Sequence, residues 1–247
     1  MENQQQTAIV TGGTMGIGLA IVHKLRADGY YVIFTARNEQ TGKEIEAALN
    51  NKNCEFFRCD IGEEPDVKKL FERVNSSGKP LWVVVNNAGI LADSMIWKMS
   101  TDDFDKVIRT NLRGTWLMCR EAAAIMKEKK SGRIINISSR AWLGLPGQTN
   151  YAGSKGGVNG MTRSLALEMG RYGVTVNGVA PGLINTPMIA KLPQEVQQKL
   201  IEAQPTRTMG KPEDVAEMVS FLASGKSQFI TGQLIYVDGG KSIGAGV

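Results

Sequence analysis

The chain has 247 residues, of which 42% are hydrophobic and 21% are charged, a composition typical of soluble globular proteins. The net charge of +5 arises from basic residues scattered among 24 acids. A solvated basic face is therefore favoured over nucleic-acid binding, with attraction for anionic ligands as the alternative. The three cysteines lack metal-binding spacing and suit a reducing compartment. With no signal peptide and no apolar run of roughly 20 residues, a cytoplasmic protein is predicted.

Apolar runs alternate with helix-like segments along the whole chain. Strands are predicted at 7–12, 30–36, 54–60, 81–87, 132–139, 174–180 and 233–238. Helices are predicted at 16–29, 39–49, 63–74, 101–130, 150–172 and 212–223. This alternation predicts a single α/β domain over 1–247, a doubly wound parallel sheet of the Rossmann-like type with helices on both faces. Segment 185–212 carries Pro187, Pro193 and Pro205, ends at Pro212, and is predicted to be an irregular substrate lid.

A glycine-rich turn, TGGTMGIG at 11–18, separates the first strand from the first helix. Glycines there let the backbone turn sharply and approach a pyrophosphate, which the helix N-terminus would bind. The spacing Gly12-x-x-x-Gly16-x-Gly18 differs from the general G-x-G-x-x-G fingerprint. The turn alone therefore leaves two interpretations open, a dinucleotide site and an ordinary tight turn.

The residues after the second strand indicate which dinucleotide would bind. Ala36-Arg37-Asn38 lies about 20 residues beyond the glycines, where NAD enzymes carry an acid for the ribose 2′-hydroxyl. No acid is present, and the guanidinium of Arg37 would bind the 2′-phosphate of NADP(H). A solvated surface arginine is the alternative. Glu39 is expected to open the following helix, where an acid suits the helix dipole.

Further polar and small residues follow the third and fourth strands, at the edge where ligands of open sheets bind. They are Asp60 and Ile61 after the third strand, and the NNAG sequence at 86–89 after the fourth. The residues predicted to bind the cofactor from these segments are Gly12, Thr14, Met15, Gly16, Ile17, Gly18, Arg37, Asp60, Ile61, Asn87, Ala88 and Gly89.

Taken in order, these motifs resemble the short-chain dehydrogenase/reductase family. The matching segments are TGGTMGIG, NNAG, Asn111, the Ser138 of NISS, Tyr151-x-x-x-Lys155 and the PGLINT that begins at Pro181. The resemblance covers nearly the whole chain and is strongest to 3-oxoacyl-acyl-carrier-protein reductases and related bacterial carbonyl reductases. It implies further cofactor contacts from Tyr151, Lys155, Pro181, Gly182, Ile184 and Thr186. It also implies a homotetramer formed through the 150–172 helix and the long helix before it.

Reduction of a ketone needs a hydride on carbon and a proton on oxygen, and Tyr151 is the predicted proton donor. Tyr151 and Lys155 share one helix face at i and i+4. The lysine, aided by the positive charge of the oxidised nicotinamide, is expected to lower the tyrosine pKa from about 10. Ser138 would hydrogen-bond the substrate oxygen. The resemblance adds Asn111 as the holder of a water that relays protons to the lysine. The lone His23 lies in the first helix, so no Ser–His–Asp hydrolase can be assembled, and no metal site is predicted.

Glycines crowd the helix that holds this pair. Gly153, Gly156, Gly157 and Gly160 would each cost about 1 kcal/mol relative to alanine in an exposed helix. Close approach of the cofactor or of a partner's helix is the expected compensation.

The predicted substrate residues are Met95, Trp97, Ser138, Arg140, Trp142, Leu143, Gln148 and Met188, with the rest of 188–192. Tryptophan and methionine side chains suit a hydrophobic or aryl ketone, although ordinary core packing is the alternative. Arg140 would meet an anionic substrate group or a neighbouring subunit. Basic residues near Lys129, Lys130 and Arg171 would dock an acidic carrier protein or simply be solvated.

The sequence thus predicts an NADPH-dependent reductase that converts a ketone to a secondary alcohol. The substrate would be a 3-oxoacyl thioester, or a hydrophobic or aryl ketone or keto ester. A non-catalytic NADP(H)-binding redox sensor is the alternative. The presence of Asn111, Ser138, Tyr151 and Lys155 argues against it, because a sensor needs no proton donor. NADP-preferring members of the family often carry Arg or Lys at the place of Met15, so Arg37 would provide most of the 2′-phosphate binding.

Overall fold

A wholly parallel sheet forms the centre of the protein, described by a computed structural model over residues 5–50 and 53–243. The side chain of Met188 lies outside this description. Within the described residues, seven strands pair in the spatial order β3-β2-β1-β4-β5-β6-β7. They are β1 (Thr7–Thr11), β2 (Tyr31–Ala36), β3 (Cys54–Arg58), β4 (Leu81–Asn86), β5 (Gly132–Ile137), β6 (Val174–Pro181) and β7 (Leu234–Val237). The winding reverses between β1 and β4, which makes this the switch point where ligands of such sheets bind.

Helices cover both faces of the sheet, as the sequence predicts. They are α1 (Gly16–Ala27), α2 (Glu39–Ala48), α3 (Glu64–Ser76), α4 (Thr101–Val107), α5 (Thr115–Lys129), α6 (Thr149–Met169), α7 (Pro187–Ala190), α8 (Gln194–Glu202) and α9 (Pro212–Ala223). One layer contains α1, α2 and α9, and the other contains α3, α5 and α6. The predicted α/β fold with a doubly wound parallel sheet is therefore confirmed.

Strand residues alternate between the two layers. In β1, Ala8 and Val10 join one hydrophobic cluster and Ile9 joins the other. This follows from the two-residue period of a strand, since successive side chains point to opposite faces. Each fully buried aliphatic side chain contributes about 1.5–3 kcal/mol. The two clusters together hold the carboxyl ends of the strands in fixed positions at one edge.

The long helical stretch predicted at 101–130 is present, but its middle is not α-helical. A π-helical stretch, Ile108–Gly114, separates α4 from α5. A Cβ on Gly114 would lie 2.8 Å from Cγ1 of Ile61, so only a glycine lets the wide turn approach the loop after β3. The hydroxyl of Thr115 donates to the carbonyl oxygen of Asn111 at 2.7 Å. The turn places Asn111 inside the protein, fully buried.

The predicted irregular lid at 185–212 is also partly helical, because α7 and α8 lie within it. Pro187 occupies the first turn of α7 and Pro193 is the N-cap of α8. Proline is compatible with these positions, where its missing N–H has no helical partner. The prolines therefore start helices here.

The remaining differences lie at element ends. The predicted 150–172 helix ends at Met169 and continues as a short 3₁₀ turn, Gly170–Tyr172.

None of the helices in the described part of the chain combines the length and the apolar character that crossing a membrane requires. All three cysteines are free and buried.

Candidate active site

The glycine-rich turn has a backbone that other residues would strain. Gly12 and Gly16 have φ values of +65° and +52°, in the left-handed region that favours glycine. A Cβ on Gly18 would lie 2.0 Å from the carbonyl oxygen of Gly12, so the helix start packs directly on the turn. No side chain caps the N-terminus of α1, where Met15 is the N-cap. The free amides at this helix start favour an anion.

The NNAG segment is hydrogen-bonded to this turn. The Asn87 and Ala88 amides both donate to the Thr11 hydroxyl at 3.0 Å. The Asn87 side chain donates to the carbonyl oxygens of Thr11 and Gly12, at 3.0 and 3.1 Å. These bonds join the ends of β1 and β4 at the switch point, so the two predicted cofactor segments form one surface.

Arg37 follows β2 and lies beside the glycine-rich turn. The Gly13 amide donates to the Thr35 carbonyl at 3.0 Å, and this bond holds the turn against the end of β2. The Arg37 side chain is exposed, and no described residue pairs with it. Asn38 caps α2 by accepting from the Thr41 amide at 3.0 Å, so α2 begins at Glu39 as expected. The guanidinium is therefore available to a ligand at the turn.

The segment after β6 also lies beside the glycine turn. A Cβ on Gly16 would meet Cγ2 of Thr186 at 3.4 Å. The Gly182 amide donates to the Val237 carbonyl at 3.0 Å, which fixes the segment at the end of β7. Pro181 ends β6, and the Ile184 side chain is buried in the core.

Asp60 and Ile61 were also expected at the cofactor. Asp60 uses one carboxylate oxygen to accept from the Gly62 amide at 2.9 Å. Ile61 is buried against Gly114. The Ile61 side chain is therefore part of the core, so a cofactor contact by this residue would come from its main chain.

Ser138 follows β5 directly. Its amide donates to the Val179 carbonyl at 2.7 Å, which holds the residue against the end of β6. The Ser138 hydroxyl oxygen is enclosed by protein, and no described residue forms a hydrogen bond with it. Buried hydroxyls nearly always have a partner, so this group is suited to bind a ligand atom.

Tyr151 and Lys155 share one face of α6, as predicted. The Lys155 ammonium lies 5.7 Å from the centroid of the Tyr151 ring. It is buried and donates to the carbonyl oxygen of Ile137 at 2.7 Å. A Cβ on Gly89 would lie 3.5 Å from the Lys155 nitrogen, so the NNAG segment borders the same group. Strand β5, helix α6 and the NNAG segment thus meet around the lysine.

Burial shifts the pKa of both side chains. Desolvation lowers the Lys155 pKa to about 8. Burial also raises the Tyr151 pKa, helped by the charge of Asp93 and opposed by a hydrogen bond with Ser139. Desolvation is the largest cause, so the Tyr151 pKa shifts upward in the structure, and the lowering expected from Lys155 together with the oxidised nicotinamide remains a prediction. Tyr151 keeps its proton at neutral pH, as a proton donor must.

Asn111 uses its side chain fully. Its amide oxygen accepts from the Ile90 amide at 2.8 Å, and its nitrogen donates to the Ile90 carbonyl at 3.0 Å and to the Ser154 hydroxyl at 3.2 Å. These bonds tie the segment after NNAG to the turn of α6 next to Lys155. The water relay that the resemblance implies remains a prediction.

A buried polar chain beneath the site was missed by the sequence analysis. Asn86 donates to the Asn136 amide oxygen at 2.8 Å, and Asn136 donates to the Thr162 hydroxyl at 2.8 Å. All three residues are almost fully buried. The chain connects β4, β5 and α6 and so fixes the helix that holds Tyr151 against the strand that leads to Ser138. Two asparagines within apolar strands were the only signal in the sequence.

Of the predicted substrate residues, Trp97 is 75% exposed, so the core-packing alternative is wrong for it. Met95 and Leu143 are also exposed. Trp142 is half-buried, and its ring nitrogen donates to the Tyr236 hydroxyl at 2.8 Å. Tyr236 was not predicted, because a contact across so long a stretch of chain leaves no local signal. The Met188 side chain lies outside the described residues.

Gln148 donates to the Asp93 carboxylate at 2.8 Å and so holds the segment after NNAG against the start of α6.

The glycines of α6 differ in how closely other residues pack against them. Gly157 packs on Leu112, where a Cβ would lie at 2.9 Å. A Cβ on Gly153, Gly156 or Gly160 would meet nothing within 4 Å.

A cavity of about 620 Å³ lies between α9, the end of β7 and residues 204–210. Its walls include Leu183, Met218 and Tyr236 but none of Ser138, Tyr151 and Lys155. The candidate site at the ends of β4 and β5 is therefore separate from this cavity, although Tyr236 lines the cavity and also accepts the hydrogen bond from Trp142.

A glycine turn at the switch point, with Ser138, Tyr151 and Lys155 at the same edge, is the arrangement of a dinucleotide-dependent oxidoreductase. Comparison with known proteins specifies the class. A family model described as enoyl-(acyl carrier protein) reductase matches residues 12–242. The chain belongs to the short-chain dehydrogenase/reductase family, whose members are oxidoreductases acting on CH–OH and C=O groups.

Individual relatives are similar over nearly their whole length. The (2S)-[(R)-hydroxy(phenyl)methyl]succinyl-CoA dehydrogenase subunit BbsD of Thauera aromatica is 40% identical, over 98% of this chain and 99% of the relative. The 3-oxoacyl-[acyl-carrier-protein] reductase FabG of Rickettsia prowazekii is 41% identical, over 95% and 96%. The structure "ElxO with NADP Bound" has a TM-score of 0.91 and 32% identity, over 96% of this chain and 98% of that chain.

Proposed function

We propose that the protein is an NADPH-dependent reductase that converts a ketone to a secondary alcohol. The observation that carries this proposal is the free, enclosed hydroxyl of Ser138 at the edge that also holds Tyr151 and Lys155. A carbonyl oxygen placed there accepts one hydrogen bond from Ser138 and one from Tyr151. Both donors stabilise the oxygen as negative charge develops on it.

The cofactor is NADP(H), as in the ElxO structure, whose title names bound NADP. When bound, it supplies the hydride. Its pyrophosphate would lie at the uncapped start of α1, and its 2′-phosphate would be bound by Arg37. The remaining proposed contacts are Gly12, Thr14, Met15, Gly16, Ile17, Gly18, Asp60, Ile61, Asn87, Ala88, Gly89, Tyr151, Lys155, Pro181, Gly182, Ile184 and Thr186.

The proton is moved by residues of this chain. Tyr151 donates it to the substrate oxygen, for which its raised pKa keeps the phenol protonated. Lys155 then stabilises the phenolate by its positive charge and returns a proton to it. Asn111 fixes the lysine's turn of α6 through Ser154. Ser138 holds the substrate oxygen throughout.

The substrate we propose is a 3-oxoacyl thioester or an aryl ketone or keto ester. FabG of Rickettsia prowazekii is named for 3-oxoacyl groups on acyl carrier protein, and BbsD of Thauera aromatica is named for a phenyl-bearing secondary alcohol on succinyl-CoA. The exposed side chains of Trp97 and Leu143 suit an apolar acyl or aryl group. Proposed substrate contacts are Trp97, Ser138, Arg140, Trp142, Leu143, Gln148 and Met188.

We also propose a homotetramer in the cytoplasm. The open glycine face of α6 continues into Leu167, which is 87% exposed, and α5 exposes Trp116. An apolar surface of this kind is covered in most soluble proteins. The three buried, free cysteines suit a reducing compartment.

The test is turnover of NADPH, followed by its near-ultraviolet absorbance, with acetoacetyl thioester, aryl ketones and keto esters offered separately. Oxidation that depends on the ketone supports the proposal, and the preferred substrate separates a thioester enzyme from a free-ketone enzyme. Tight binding of NADPH without turnover of any ketone would contradict it and support the non-catalytic sensor instead.

A further inference from the structure

Arg140 begins a fixed turn at the edge of the cleft. A 3₁₀ turn, Arg140–Leu143, follows Ser139, whose hydroxyl accepts from the Ala141 amide at 3.1 Å. At the other end, the bond between Trp142 and Tyr236 ties the turn to β7. Two residues of chain span at most about 7 Å, so the Arg140 backbone lies within that distance of Ser138.

The charge of Arg140 has no counter-ion. Its Nε atom is enclosed by protein, and no described residue accepts a hydrogen bond from it or forms an ion pair with Arg140. Arg73 shows the usual arrangement, with two bonds to Glu55 at 2.8 and 2.7 Å. A half-buried guanidinium without an acid is costly, and an arriving carboxylate would relieve that cost.

The charges around Arg140 also favour an anion. Lys155 is a second cation of the site, and it too has no acid partner among the described residues. The charge of Asp93 helps to raise the Tyr151 pKa, and the Asp93 carboxylate accepts a hydrogen bond from Gln148 at 2.8 Å. Two of these three charged groups are cations and one is an acid, so their summed charge beside the proposed position of the carbonyl is positive.

We propose that Arg140 binds a carboxylate carried by the acyl part of the substrate, so that the enzyme prefers ketones with an anionic group near the reacting carbonyl. This inference rests on the proposed function and specifies its substrate class. A thioester also brings phosphates, but these are separated from the carbonyl by the whole pantetheine arm. Because Arg140 lies so close to Ser138, the carboxylate is the better partner.

Exposed side chains near the same site indicate the chemistry of the other end of the substrate. Met95, Trp97 and Leu145 expose apolar side chains on segments that flank the Ser138 edge. A ketone with an apolar group on one side and a carboxylate on the other would satisfy both surfaces. An uncharged 3-oxoacyl chain would leave Arg140 without a partner.

The experiment uses two matched pairs of substrates with the NADPH-loaded enzyme. 3-Benzoylpropionate and its methyl ester differ in charge at the acyl end, whereas acetoacetyl-CoA and acetoacetyl-N-acetylcysteamine differ in phosphates. Arg140→Gln should lower kcat/KM for the keto acid about 10- to 100-fold, mainly through KM, and leave the ester within about twofold. Arg140→Lys should restore part of the loss. Lys106→Gln removes one charge from the exposed side of α4 and serves as control.

Three results would overturn the proposal. Equal losses for the acid and the ester would show a structural role for Arg140. A loss confined to acetoacetyl-CoA would assign the arginine to a phosphate. No loss for any substrate would leave it without a role in binding.

If the wild type reduces none of these compounds, the proposed function fails, and calorimetric binding decides the inference separately. Weaker binding of the acid, but not the ester, to Arg140→Gln would sustain it. Equal binding to both proteins would end it.

Discussion

The Lys155 ammonium donates a hydrogen bond of 2.7 Å to the main-chain carbonyl of Ile137, the residue before Ser138. One bond thus joins the helix that holds Tyr151 to the strand end that holds Ser138. The lysine forms it while buried, and desolvation lowers its pKa to about 8. The relative positions of proton donor and oxygen-binding hydroxyl therefore depend on a group whose charge is itself sensitive to pH.

The first prediction concerns stability against pH. The Lys155 pKa is about 8 in the folded protein and 10.5 in the unfolded chain, so the unfolded state binds more protons between these values. The free energy of unfolding of the wild type, minus that of Lys155→Met, should therefore rise with pH across this window by up to about 3 kcal/mol. Below it both states are protonated, and the difference is constant. Urea unfolding without cofactor, at several pH values, measures this difference.

Lys106→Met, on the exposed side of α4, controls for the loss of an amine. A stability difference between wild type and Lys155→Met that is flat from pH 8 to 10.5 would contradict the lowered pKa.

The second prediction concerns proton donation. Tyr151→Phe keeps the ring and removes the hydroxyl, so ketone reduction should slow about 10²- to 10⁴-fold. NADPH affinity should fall by a much smaller factor, because the ring is kept and Tyr151 is only one of many proposed cofactor contacts. Stopped-flow reduction and NADPH fluorescence measure the two quantities. Tyr172→Phe, far from the site at the end of α6, is the matched control, and similar rates in both variants would exclude Tyr151 as donor.

The third prediction concerns the oxygen-binding hydroxyl. Ser138→Ala should lower kcat about 10²- to 10³-fold, because the transition-state oxygen loses a donor. Stability should fall little, since the Ser138 hydroxyl has no described hydrogen-bond partner to lose. Turnover and thermal unfolding of the same preparation test both halves. A large loss of stability with unchanged turnover would contradict the assignment.

The fourth prediction concerns cofactor choice. Arg37→Asp should weaken NADPH binding by at least about tenfold and improve NADH, because an acid repels the 2′-phosphate and accepts from the 2′-hydroxyl. Kinetics with both cofactors give the ratio of kcat/KM. Lys106→Asp changes the net charge equally at a distance and should leave the ratio unaltered. An unchanged preference in Arg37→Asp would show that another group reads the phosphate.

The fifth prediction concerns the glycines. Gly18→Ala should destabilise the protein by about 1–3 kcal/mol, because its Cβ would overlap the Gly12 carbonyl oxygen. Gly160→Ala has open space and should instead gain up to about 1 kcal/mol. Denaturant unfolding compares the two. Gly160→Glu should split the proposed tetramer, and light scattering that finds a monomeric wild type at micromolar concentration would remove the tetramer altogether.

The sequence predicted the sheet and most helices because burial on both faces imposes long apolar runs on parallel strands. It missed the π-helical stretch around Asn111, since the apolar pattern of 101–130 continues through it. The wide turn depends on Gly114 meeting Ile61, a contact between distant segments. The prolines of 185–212 led to the prediction of an irregular segment, because proline breaks a helix when it lies in the helix interior. Proline is also favoured in the first turn of a helix, which is where Pro187 lies in the structure.

At the candidate site, local sequence predicted which residues would carry the chemistry but not which residues contact them. The proximity of Tyr151 and Lys155 follows from helix geometry alone. The bond from Trp142 to Tyr236 joins β7 to a turn far away in the chain, and it could only come from the fold. The direction of the Tyr151 pKa shift in the structure could not be read from the sequence, because it is set mainly by burial, which raises the pKa and outweighs the opposing hydrogen bond with Ser139.

The substrate walls are separate from the parts that make the protein fold. Among the described residues, the two hydrophobic clusters include nothing from 90–99, 140–147 or 185–204. Substitutions in these three segments therefore alter the shape of the cleft with little effect on the core. In evolutionary terms, descendants of one ancestor can diverge to new ketones by changes in a few surface segments, while the cofactor turn and the proton donor are inherited intact.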